Sequence, residues 1–337
     1  MILAGDIGGT NTRLALFDQG RPQQIQEFPS GKYTSLEQIL AEYLRTVEPL
    51  PQGLTRAAFG VAGPVENING RLRVKTTNLP WTLEQGRLAE ALRLRPESVG
   101  LLNDLAANAA GIDVLDSNSI LVLQQGESRE GNRGIISAGT GLGVAGLMWD
   151  PARRLHVPVP SEGGHSSFGP RDDLQDDLLR YLRDQERETF HGHVSWERVL
   201  SGPGLYHLFD FLRARGIGEQ KLEIPPGTTP GDAAKLVFVV GMAGTCPRSA
   251  QALDLFVSIY GAAAGNVALQ FLALGGLYVG GGIAPRLGDR LKSPRFLQAF
   301  LDKGPLRGRV LEKVPVRVIL DPYTALCGAG RYAERMM

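Results

Sequence analysis

The chain has 337 residues, about two domains' worth, of which 43% are hydrophobic and 21% charged; this supports a large apolar core and excludes disorder throughout. Lys and Arg number 36 against 35 Asp and Glu, and the net charge of +1 argues against a nucleic-acid binder working through a broad basic face. The two cysteines, Cys246 and Cys327, form neither a CxxC pair nor a disulfide framework, which fits a reducing compartment.

Met1–Gly9 reads as a buried strand with no basic n-region before it, so no signal peptide is expected. A tight glycine turn joins it to a second strand over Thr12–Asp18. Ser35-Leu-Glu-Gln38 is a capping box opening an amphipathic helix to about Val47. Arg56–Ala62 and Leu72–Thr76 read as strands, and Thr82-Leu-Glu-Gln85 as a second capping box whose helix ends at Pro96. Val99–Leu102 is a short apolar strand, with helix from Ala106 onward.

The opening layout then returns. Gly5–Asp18 and Ser137–Asp150 are each a strand, a glycine turn and a strand ending in Asp, which suggests two domains on related αβ plans. Helices are predicted over Asp172–Glu188, Glu197–Arg213 and Leu253–Ala273, and Pro225–Gly231 is a surface loop. Leu253–Gly282 is long enough to span a membrane. Asp254, Ser258, Asn266, Gln270 and its glycines instead predict a buried core helix feeding a buried strand. The expectation is a soluble, cytoplasmic protein.

A strand ending in Asp-x-Gly-Gly-Thr gathers backbone N–H groups around one turn, where an anion such as phosphate fits. Asp6 at the strand end suits a site with Mg²⁺ nearby, and Thr10, Asn11 and Arg13 add donors. The bland alternative is an ordinary hairpin turn. Gly139, Thr140, Gly141 and Gly143 make a second such turn and Gly280-Gly281-Gly282 a third, which points to one nucleotide held from several sides. A P-loop is excluded, because there is no GxxxxGK[ST] and no Lys between Lys75 and Lys221. Rossmann, protein-kinase and serine-hydrolase signatures are also absent.

Three polar clusters remain. Asn103-Asp104 stands where an apolar strand meets a helix, as an N-cap or as a carboxylate poised to take a hydroxyl proton. Glu162-Gly-Gly-His165 reads as a loop presenting an acid and an imidazole to a polyol, or as a surface turn; the two glycines make a helical metal pair improbable. His191 and His193 lack a third zinc ligand, and Ser195 reads as an N-cap that leaves Glu197 in the first turn of its helix.

Taken in order, Gly5–Arg13, Leu102–Asp104, Ser137–Gly143, Glu162–His165, Ser195–Gly204 and Gly280–Pro285 resemble the bacterial glucokinases of the non-ROK type. The resemblance runs from residue 3 to about residue 330, and the lack of a cysteine-rich zinc motif separates the chain from the ROK sugar kinases. It implies an α/β, actin-like (ribonuclease H-like) fold of two domains with the active site in the cleft. The small domain would be residues 1–108 plus 324–337, and the large one residues 109–323. It implies that Asn103, Asp104, Glu162, His165 and Glu197 bind D-glucose, with Asp104 as general base. ATP phosphates would lie at Asp6, Gly8, Gly9, Thr10, Asn11, Arg13, Gly139, Thr140 and Gly141, and adenosine near Gly280, Gly281 and Gly282. Mg²⁺ usually keeps several waters, so Asp6 would hold it through water. The resemblance further implies a homodimer with no nucleic-acid or membrane partner. Two alternatives accompany it: a hexokinase of broader specificity, and a non-catalytic glucose-binding regulator. The regulator would need a helix-turn-helix extension, and the chain opens on its first strand.

Overall fold

Ile2-Leu-Ala-Gly-Asp-Ile7 is apolar nearly throughout because it lies inside a sheet covered on both faces. In this computed structural model, which describes residues 1–47, 53–188, 191–219 and 221–336, it forms β1 (Ile2–Ile7). A turn at residues 8–10 leads to β2 (Asn11–Asp18) and then to the edge strand β3 (Arg21–Pro29). The sequence reading has no element at β3. Its two prolines and mostly polar side chains disguise it, and an edge position is where a strand tolerates them. After α1 (Leu36–Val47), β4 (Arg56–Val61) runs parallel to β1. A small antiparallel sheet follows, of β5 (Val65–Ile68), β6 (Arg71–Lys75) and β7 (Thr82–Glu84). Next come α2 (Gln85–Leu92), β8 (Val99–Asn103) and α3 (Asp104–Gly111).

The second capping box is not one. Thr82–Glu84 is strand, and Gln85 is buried with its Oε1 accepting from Leu72 N–H at 3.1 Å and its Nε2 donating to Val99 O at 2.8 Å. Cross-strand partners claimed the side chain that local spacing assigned to the helix end. The helix stops before Pro96, at Arg93 in the left-handed region.

The remaining strands are β9 (Ile120–Gln124), β10 (Arg133–Ala138), β11 (Leu142–Asp150), β12 (Leu155–Ser161), β13 (Gly276–Gly280) and β14 (Val316–Ile319). The helices between them are α4 (Asp173–Gln185), α5 (Gly202–Ala214), α6 (Pro230–Met242), α7 (Pro247–Gln270), α8 (Ala284–Leu287), α9 (Asp289–Lys292), α10 (Pro294–Leu301) and α11 (Leu306–Arg309). The last helix is α12 (Thr324–Arg335). By contact the chain divides into one unit of Met1–Ser119, His156–Pro160 and Asp321–Met337, and another of Ile120–Leu155 and Ser161–Leu320.

In the first unit the sheet order is β3-β2-β1-β4-β8. One face, with Leu3, Ile7, Leu14, Leu16, Phe59 and Val61, packs against α1 and α2. The opposite face carries Ala4, Ala15 and Ala58, small enough for α3 and α12 to lie close, and its one large residue, Phe17, packs where α12 has Gly330. Alternation of large and small residues along each strand thus sorts the helices by face.

The second unit's sheet runs β12-β11-β10-β13-β14-β9. The shared plan is explicit: β1 and β10 each pair antiparallel with the strand after the glycine turn and parallel with a later strand, β4 or β13. The long apolar stretch becomes α7, starting at Pro247 rather than Leu253, and then the wholly buried β13. Helix α7 is long and apolar enough to cross a membrane, yet most of it is inside the core, with Phe256, Ile259 and Tyr260 fully buried. Arg248, in a segment without a motif, is buried and donates to the carbonyls of Ile217 and Gly218 at 2.9 and 2.8 Å.

Candidate active site

In the first unit, strand register aligns the carboxyl ends of three parallel strands, with Ile7 opposite Val61 and Val61 opposite Asn103. Ligands of open α/β sheets bind at such ends. The Asn103 side chain caps α3, its Oδ1 accepting from Leu105 N–H at 2.9 Å, and its Nδ2 donates to Gly63 O at 3.2 Å. An amide has two donors and two acceptor sites, so half its capacity is left. Asp104 is the first residue of the helix, not its cap, and its Oδ1 shares the Leu105 N–H at 3.0 Å. The capping role that sequence spacing offered to Asp104 belongs to its neighbour.

Asp6, one residue before the end of β1, lies 3.6 Å from Arg13 Nη1. Burial pushes its carboxyl up from 3.8 to about 6, the charges of Asp104 and Glu27 adding to the effect and the Arg13 guanidinium opposing it. Two carboxylates whose charges oppose one another are a hard-oxygen donor set that a divalent cation relieves, so the residues present fit Mg²⁺. Among the described residues no group of three or more His, Cys, Asp or Glu is placed to hold a metal ion.

The turn at residues 8–10 is braced by Ser30, whose Oγ donates to Gly8 O at 2.7 Å and whose N–H donates to Thr10 O at 2.9 Å. Thr10 itself is exposed. The side chains of Asn11 and Arg13 are both held by Glu27, at 2.6 and 2.7 Å. Glu27 is a residue the sequence reading missed, because it sits on β3. Arg13 also reaches Pro322 O at 3.2 Å and lies over the Tyr323 ring.

In the second unit the turns after β10 and β13 are neighbours: Ser137 pairs with Gly280, and Ile283 N–H donates to Ala138 O at 3.2 Å. Gly281 has φ +80°, and a Cβ there would overlap the Ala138 backbone, so only glycine fits. The fully buried Tyr260 hydroxyl joins the two strand ends, accepting from Ala138 N–H at 3.1 Å and lying 3.1 Å from Gly280 O. Thr140 is exposed at the tip of its turn.

Glu162 and His165 meet through local geometry. The two glycines do not prevent helix: residues 163–165 form one 3₁₀ turn, in which positions three apart eclipse, and His165 Nε2 lies 3.9 Å from Glu162 Oε2. His193 Nε2 lies 3.0 Å from the His165 carbonyl oxygen, so that histidine secures the loop. The helix expected at Glu197–Arg213 begins only at Gly202, where Ser201 Oγ accepts from Gly204 N–H at 3.0 Å. Ser195 makes no side-chain cap, and Glu197 sits in a separate 3₁₀ turn over Trp196–Arg198. Its Oε1 is 4.0 Å from His165 Nδ1, and its Oε2 accepts from Leu142 N–H at 2.8 Å. The candidate residues therefore form two groups. Asp6, the turn at 8–10, Asn103 and Asp104 belong to the first unit; Glu162, His165, Glu197 and the turns at 139–141 and 280–282 belong to the second.

Two sheets of one plan, each with a glycine hairpin, define the actin-like sugar-kinase fold. A ROK-family glucokinase from Streptomyces griseus, solved with glucose and AMPPNP, matches with a TM-score of 0.62 at 20% identity, over 99% of each chain. A glucokinase from an Antarctic psychrotroph matches with a TM-score of 0.82 at 33% identity, over 99% of this chain and 98% of that one. The glucokinase of Trichormus variabilis is 36% identical over 360 residues, covering 100% of this chain and 99% of its own. Residues 3–336 match the family described as Glucokinase, and the chain belongs to it.

Proposed function

We propose that this enzyme transfers the γ-phosphoryl group of ATP to the 6-hydroxyl of D-glucose, with Asp104 as general base. The observation that carries the assignment of the base is the position of Asp104. It opens α3 at the carboxyl end of β8, with its charge felt by Asp6 and the helix cap supplied by Asn103. The Asp104 carboxylate accepts the proton of the attacking hydroxyl, which Asn103 helps to orient. Glu162, His165 and Glu197 bind further hydroxyls, where acceptor carboxylates and an imidazole suit groups that both donate and accept. Backbone N–H groups of the turns at 8–10 and 139–141 hold the phosphates, and Gly280–Gly282 adjoins the adenosine. Arg13, tied to Glu27, positions Asp6. Asp6 would hold Mg²⁺ through water, and the ion would supply positive charge to offset that of the phosphates. Phosphoryl transfer asks mainly for in-line positioning and such charge stabilisation.

The same reading takes the enzyme as a cytoplasmic homodimer without nucleic-acid or membrane partners; the near-neutral charge bears on the nucleic-acid part alone. Light scattering during gel filtration at twice 36.4 kDa is the expected result. The central test is a coupled assay of glucose 6-phosphate formation from Mg-ATP with wild type and Asp104→Ala. The expected loss in kcat is at least about a hundredfold, with glucose binding retained in calorimetry. Equal rates would remove Asp104 from the mechanism.

A further inference from the structure

Glu197 stands between two features that the proposed function gives to different substrates. One carboxylate oxygen accepts from Leu142 N–H at 2.8 Å, at the end of the Gly139–Gly141 turn, while the other lies 4.0 Å from His165 Nδ1. The carboxylate also lies directly on Gly141, where a Cβ would meet Oε2 at 2.5 Å. Gly141 has no positive φ, so its backbone accepts other residues, and what a side chain there would displace is the carboxylate above it. The same segment braces the turn a second time, Gly202 N–H donating to Gly139 O at 2.8 Å, and Ser201 Oγ donates to Glu197 O at 2.8 Å. Glu197 is about 29% exposed, so one side of the carboxylate still faces solvent.

We infer that Glu197 is a coupling residue: a sugar hydroxyl bound on its Oε1 side immobilises the carboxylate, which through Oε2 fixes the Gly139–Leu142 turn in the shape that receives phosphate. Glucose and nucleotide then bind synergistically through contacts made wholly within the second unit. The inference rests on the proposed placement of glucose at Glu162, His165 and Glu197 and of phosphate at Gly139–Gly141. By linkage the coupling is reciprocal, so a change made in the turn is felt by the sugar.

That reciprocity supplies the test. Gly141→Ala adds a methyl group that displaces only the far end of the Glu197 side chain, so the fold is retained. Glucose affinity, measured by calorimetry with no nucleotide present, is expected to weaken at least about fivefold. A folded Gly141→Ala protein with the wild-type glucose Kd would overturn the inference, because a turn serving phosphate alone has no reason to move it. Glu197→Asp provides the second measurement, since a side chain one methylene shorter cannot reach both partners. In wild type the affinity for AMPPNP should rise at least about fivefold at saturating glucose, and in Glu197→Asp that ratio should fall to about one. Retention of the ratio in Glu197→Asp, or a ratio of one in wild type, would also overturn it. Glu162→Gln separates the two levels. If it weakens glucose binding while Gly141→Ala does not, the coupling fails and the sugar site stands. If Glu162→Gln, His165→Ala and Glu197→Asp all leave glucose affinity unchanged, the site fails and the coupling with it.

Discussion

Asp6 holds its carboxyl at about 6 against 3.8 for an unperturbed one, mainly by burial. A group whose folded pKa is raised favours the folded state while protonated, so this contribution is complete below about pH 4 and lost as the pH rises through about 6. Two pK units correspond to about 3 kcal/mol. Asp6→Asn removes the penalty. In thermal melts without ligand its stability relative to wild type should rise between pH 4 and 7 and then level off. Addition of Mg-ATP should raise the midpoint of wild type by more than that of the variant, since only wild type has the charge to satisfy. A pH-independent difference between the two proteins would show that the Asp6 carboxyl is not desolvated. Asp6, Asn103 and Asp104 were readable in the sequence because each sits at a junction between an apolar run and a polar turn. Glu27, which holds Asn11 and Arg13, was not. It lies among Gln and Pro residues on an edge strand, where no hydrophobic period marks it.

At the scale of elements, the strands buried on both faces were legible because apolar runs bounded by glycine have few other readings. Helix starts were less so, since several Ser and Thr residues compete for each cap. Ser201 prevailed over Ser195, and the displaced stretch became the 3₁₀ turn that aims Glu197 at Leu142. Gln85 shows the same competition between local and long-range partners. Its amide joins β6 to β8 through Leu72 N–H and Val99 O. Gln85→Ala removes both hydrogen bonds, one of them buried, at a cost of about 1–3 kcal/mol. A lower urea midpoint with an unchanged m-value is the expected result. A midpoint within error of wild type would mean that water replaces the amide.

At the scale of the whole molecule, the first unit takes its central sheet from the start of the chain and one of its covering helices from the end. Helix α12 places Leu326 and Ala329 against Ala4, Ala15 and Phe17, and Gly328 lies so near the Ala107 carbonyl of α3 that a Cβ would overlap it. Truncation after residue 320 should therefore expose the alanine face of the sheet and leave the first unit open to limited proteolysis. Gly328→Val should destabilise the folded protein by at least about 2 kcal/mol, read as a lower thermal midpoint. A protease-resistant first unit in the truncated protein would contradict this account of its core. The sequence by itself determined the two glycine hairpins, the buried strands on either side of them and the polar residues at their ends. It did so because period and punctuation are local properties of a chain. Only the tertiary structure decided that Glu27 holds Arg13 and that the Glu197 carboxylate rests on Gly141. Those contacts join residues far apart in sequence, and their geometry is set by strand register and packing, which no local pattern encodes.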